Sequence, residues 1–158
     1  MPHQPTDTDP ASWARYFAMA GNNRAWELAA QIARSAAEDR EMLDAAHASA
    51  FHWNAVGTEL NRMRAAYLVA EVHALLGFGA SALALADEAL TWFRDVDSPD
   101  WERAFLHTIH AHAAAAAGDA AAHAASYAAA VEALAAIADP EDRNIVEQTF
   151  LQVPRPAG

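Results

Sequence analysis

The sequence is cut at short intervals by helix-stopping and helix-starting signals, and between the cuts apolar residues recur at helical spacing. The cuts are Gly21-Asn22-Asn23, Gly57-Thr58, Gly77-Phe78-Gly79, the run from Asp95 to Pro99, Gly118-Asp119 and Asp139-Pro140. No segment between them alternates with period two, so strands are not expected. Short helices joined by tight turns cannot each bury an apolar stripe alone; they must stack. The expected fold class is all-α: stacked antiparallel helical hairpins, about six or seven helices.

The boundaries follow from turn and cap chemistry. Residues 1–9 read as a disordered, proline-rich tail, 10–153 as a single helical-repeat domain and 154–158 as a second tail. A first helix starts with Asp9 as cap and Pro10 in its first turn, and is expected to end at Gly21-Asn22-Asn23. The stretch from Arg24 to Asn54 follows, read either as one helix or as two divided at the polar run Glu38-Asp39-Arg40-Glu41. Thr58 caps a helix over 59–76, the next spans Ala80 to Phe93, and Ser98 with Pro99 starts one that reaches Ala117. A sixth runs to about Ala138, and Asp139-Pro140 opens the last.

Two of the glycines carry a repeat. Five, nine and twelve residues after Gly77 stand Ala82, Ala86 and Ala89; the same offsets from Gly118 give His123, Tyr127 and Ala130. A glycine followed at these offsets by a small residue, an aromatic or large residue and an alanine is the tetratricopeptide pattern. Ala86 and His123 are the two departures. The glycines are 41 residues apart, against about 34 in the standard repeat. The chain therefore resembles a divergent tetratricopeptide-like array over roughly residues 60–138. It is similar to short bacterial proteins of this type with a His-Trp pair, here His52-Trp53, before the first clear repeat. The resemblance implies a superhelical stack with a concave groove and brings no activity with it.

Composition removes several function classes. The formal charge is −11, and all ten basic residues are arginine. That acidic balance argues against nucleic acid, whose phosphates need a basic footprint, and against anionic lipid. There is no cysteine, which excludes disulfides, thiolate nucleophiles and sulfur-ligated zinc. The first ten residues lack the pattern of a signal peptide and no stretch reads as a membrane span, so a cytoplasmic location is expected. Ser35, Ser49, Ser81 and Ser126 sit in no nucleophile elbow, and no glycine-rich phosphate loop is present.

What remains is a scaffold with candidate surfaces. In the tetratricopeptide register Arg64, Tyr67, Glu71 and His112, together with Tyr127, fall at or near positions that line the concave groove. The first expectation is thus a non-catalytic binding module whose groove takes a protein or peptide partner; a homodimer would complete the array in another way. No cofactor is evident. The second expectation rests on eight histidines in a chain without lysine. His73, His107 and His110 fall at positions that normally pack against the partner helix, and register arithmetic puts His47, Tyr67 and His107 in one layer, with His73 about 9 Å away along the axis. Neutral imidazoles there could hold a transition metal or act as a general base near neutral pH, with Glu71 or Glu102 assisting. Such a histidine-lined pocket would belong to a small metal- or ligand-binding enzyme. Glu102 is otherwise read as favouring the positive end of its helix dipole.

Overall fold

Side-chain caps set most of the helix starts. The computed structural model describes residues 1–157; among them are seven α-helices and no strand. In α1 (Pro10–Ala29) the Asp9 carboxylate accepts from the Ala11 amide, with Pro10 in the first turn. The start is as read, but the end is not, because α1 runs straight through Gly21-Asn22-Asn23. A Cβ on Gly21 would stand 2.7 Å from the Ala45 carbonyl oxygen and 3.1 Å from the Ser49 amide nitrogen. The glycine therefore marks a close helix crossing and not a turn.

The turn falls instead at residues 31–34, where the Arg34 guanidinium donates to the Leu28 and Gln31 carbonyls and to Asp39. The stretch from Arg24 onward is thus divided, and the run Glu38 to Glu41, the dividing point of the two-helix reading, lies at the start of α2 (Ala36–Val56). Ser35 and Glu38 form a reciprocal capping box there. The Ser35 backbone and side-chain hydrogen bonds hold the Glu38 carboxyl below its usual range.

Thr58 and Asn61 form a second box at the start of α3 (Glu59–Leu75). α4 (Gly79–Phe93) follows Gly77, whose φ of 79° needs a residue without a Cβ. α5 (Asp100–Ala117) begins one residue later than expected: Pro99 is the extended cap position, and the Ser98 side chain does not cap. Gly118 turns the chain into α6 (Ala120–Ala136), and Asp139 caps α7 (Pro140–Phe150) through the Glu141 and Asp142 amides.

Successive helices form antiparallel hairpins, and the odd and even helices occupy different layers. α1 packs on α3, α3 on α5 and α5 on α7. α2 and α4 each span two odd helices from outside, as does α6 against α5 and α7. One core cluster gathers Leu28, Met42, Leu68 and Val72; the other holds Tyr67, Phe93, Phe105, Ile109, Leu134, Ile137 and Val146. Ala82, Ala86 and Ala89 are buried within the second, where small side chains let α4 approach its neighbours.

The chain end then closes the inner layer. Val153 is buried, the Gln152 side chain donates to the Ala29 carbonyl at 2.9 Å, and His123 Nε2 donates to the Pro154 carbonyl at 2.7 Å. No helix among the described residues is long and apolar enough to cross a membrane.

Candidate functional site

The inner layer forms a half-open cavity of about 360 Å³, walled by the C-terminal part of α1, by α3, α5 and α7, and by Gln152 beyond α7. Its lining includes Trp26, Arg64, Tyr67, Glu71, Trp101 and Phe105. An extended concave groove was expected; Ile145, Val146, Gln148 and Thr149 of α7 lie across it and leave a pocket. Apolar walls with a few fixed polar groups are the usual make-up of a small-ligand site, and the volume is at the low end of that range.

Two buried carboxylates fix the polar groups of the lining, Glu71 from within it and Glu102 from behind it. Glu102, 1% exposed, accepts Arg64 Nε at 2.7 Å and Nη2 at 2.9 Å, and the Tyr67 hydroxyl donates to it at 3.2 Å. The Glu102 hydrogen bond raises the Arg64 pKa further, so the guanidinium stays charged. Burial and the Glu102 charge push the Tyr67 phenol well above its ordinary value, so it remains a neutral donor. Arg64 also lies over the Trp101 ring, 5.8 Å from the centroid. Glu102 was read as a dipole partner; it is the anchor of this network. The unnoticed signal was its spacing, one helical turn before Phe105 and two before Ile109, on the face α5 buries.

Glu71 is also 1% exposed, and its Oε1 accepts from His112 Nδ1 at 2.9 Å. No donor among the described residues reaches its other oxygen, Oε2. Burial lowers the His112 pKa, but the charge and hydrogen bond of Glu71 outweigh it and the net shift is upward. His112 was expected to line the groove. It stands behind the wall and holds Glu71 in place.

Tyr127 is placed elsewhere: on α6, its ring 4.8 Å from that of Phe150, it is not part of the cavity wall. The tetratricopeptide offset puts it in the second helix of a hairpin, which here belongs to the outer layer. His123, also on α6, bonds the Pro154 carbonyl and meets the Tyr127 ring only edge-on.

The four histidines considered as metal ligands do not converge. His47 and His73 face each other, Nε2 to Nε2, at 3.0 Å. Ser81 donates to the Phe78 carbonyl, so it must accept from His73 Nδ1 at 2.7 Å; His73 Nε2 is then the acceptor for His47. His110 is held by Asp87 and Ser126, both at 2.7 Å, and His107 is half-buried with no partner for Nδ1 among the described residues. Among the described residues no three histidine, aspartate or glutamate side chains gather as a metal group. The layer of His47, Tyr67 and His107 also fails. Gly57 and Thr58 are both extended and add roughly 6–7 Å before α3 begins. That is about four residues of helix, and it carries His47 past Tyr67 toward His73.

These environments order the histidine titrations. Burial, with His47 adding to it, lowers the His73 pKa; burial, with His110 and Arg103 adding to it, lowers that of His107. By linkage, the His112 contribution to stability is complete below the unfolded-histidine value of about 6.5 and fades as pH rises through the folded value. Those of His73 and His107 are present above about 6.5 and fade as pH falls. Side-chain NMR titration is expected to place the His112 midpoint above an unstructured histidine and those of His73 and His107 below it. Glu71→Gln should remove the upward shift of His112 alone.

Comparison with protein-family models, curated proteins and solved structures gives no match to this chain. The assignment of a role therefore rests on the geometry of the cavity.

Proposed function

We propose that the chain is a non-catalytic, cytoplasmic binding module of tetratricopeptide-like architecture, which holds a protein or peptide partner by one anchor side chain seated in the cavity. The observation that carries this reading is the aromatic cavity over the Arg64–Glu102 and Glu71–His112 pairs. Aromatic side chains beside fixed polar groups are typical of interface hot spots, which accept one well-buried residue of a partner. The volume suits a single side chain better than a helix face. The histidines on which the enzymatic alternative rests lie outside the cavity lining, which favours binding over catalysis.

Ala30, exposed just beyond α1, lines the cavity and gives a means to fill it without touching the core. Selection of a random peptide library on the wild-type protein, counter-screened on Ala30→Trp, tests the reading. Peptides should emerge whose binding falls at least about tenfold on the variant, the scale of a single hot spot. Binders indifferent to Ala30→Trp, or no binders at all, would overturn it.

A further inference from the structure

Building on the cavity reading, we propose that the pocket selects a primary alkylammonium group, which donates to Glu71 Oε2 while its hydrocarbon stem lies against the aromatic wall. The first ground is the unsatisfied oxygen. Glu71 is 1% exposed and lines the cavity, His112 satisfies only Oε1, and Oε2 has no donor among the described residues. A buried carboxylate oxygen left without a donor is costly, and a donor that also brings positive charge makes the strongest kind of hydrogen bond to it.

The second ground is charge. Among the lining residues Glu71 is the one carboxylate and Arg64 the one permanent cation, and Arg64 is committed through two of its nitrogens to Glu102, which lies behind the wall. His112 stands behind the wall and is already committed to Glu71 Oε1. An arriving anion would therefore meet the Glu71 carboxylate, whereas a cation completes the balance.

The third ground is the wall itself. Trp26 and Phe105 lie together, ring centroids 5.1 Å apart, and Tyr67 stands 5.8 Å from Phe105. Such faces attract cations and cover methylene groups. Arg64 over Trp101 already makes a contact of this kind at the same cavity.

The same chemistry is offered by a free amine and by a lysine side chain of a peptide. Calorimetric titration of the full chain with butylammonium, 1-butanol and butyrate separates the ideas, with Nα-acetyl-lysine methylamide as the peptide-borne probe. Butylammonium is expected to bind about tenfold more tightly than butanol, with butyrate weakest. Glu71→Gln should erase the ammonium preference while leaving butanol binding in place. Tighter binding of the lysine amide than of butylammonium would assign the cation to a peptide, and the reverse to a small amine; either keeps the proposal. Equal affinity for ammonium and alcohol, or an ammonium preference that survives Glu71→Gln, would overturn the cation assignment and leave the binding module standing. Failure of every probe to bind would overturn the cation assignment and leave the binding module to be decided by the peptide selection. If Glu71→Gln does not fold, the wild-type order of ammonium, alcohol and carboxylate decides the matter.

Discussion

Arg64→Met is expected to destabilise the protein by about 3 kcal/mol, because it leaves the Glu102 carboxylate buried with the Tyr67 hydroxyl as its one remaining side-chain partner. The figure sits at the low end for a broken buried pair, since the Arg64 side chain is 38% exposed and partly screened by water. For a chain of this size it corresponds to a fall in Tm of roughly 6–12 °C. The double variant Arg64→Met/Glu102→Leu should recover most of the loss. Replacing both partners of a buried pair by apolar groups is often neutral, and what remains is the Tyr67 hydroxyl without its acceptor, about 1 kcal/mol. Urea denaturation of the two single variants and the double gives the coupling. A double variant as unstable as Arg64→Met would mean that the pair is not what holds the cavity floor.

Gly79→Ala is expected to cost about 3 kcal/mol through overpacking. A Cβ there would overlap the Ala116 carbonyl and the Ala117 amide, backbone groups near the end of α5 that cannot swing aside. Two residues away, Gly77→Ala should cost only about 1–2 kcal/mol, the strain of a left-handed residue, because a Cβ on Gly77 meets nothing. Parallel denaturation curves check the order. If Gly77→Ala proves the more damaging, α4 does not approach α5 as closely as described.

These two glycines show how far the sequence could be read. Gly77-Phe78-Gly79 was legible as a turn from composition, but one glycine serves the turn and the other the contact with α5, and only the packing distinguishes them. Gly21 misled for the same reason: a glycine that breaks a helix and one that lets two helices touch look alike in one dimension. Caps were legible because their chemistry is local. Asp9, Ser35, Thr58, Asp119 and Asp139 each bond an amide within three residues, although only some of these were read as caps beforehand.

The candidate site was legible in part. Arg64, Tyr67 and Glu71 follow one another at spacings of three and four residues on one face of α3, and the groove register brought all three to the cavity wall. Their partners come from α5, 38 residues from Arg64 and 41 from Glu71, and no local pattern reports a pairing across that distance. The histidine layer failed on a quantity of the same kind, the rise of the two-residue link between α2 and α3. Closure of the groove by α7 depends on the path of the chain after Ile137, which helical periodicity does not record.

The central claim is that ligands bind in the inner-layer cavity. The most direct measurement is a heteronuclear chemical-shift map of the labelled protein titrated with butylammonium. Shifts are expected to concentrate on the cavity lining, the Trp26 and Trp101 indoles and the Arg64 Nε–H among them, and to vanish in Ala30→Trp. Shifts centred on the outer helices α2, α4 and α6, or around His47 and His73, would contradict it.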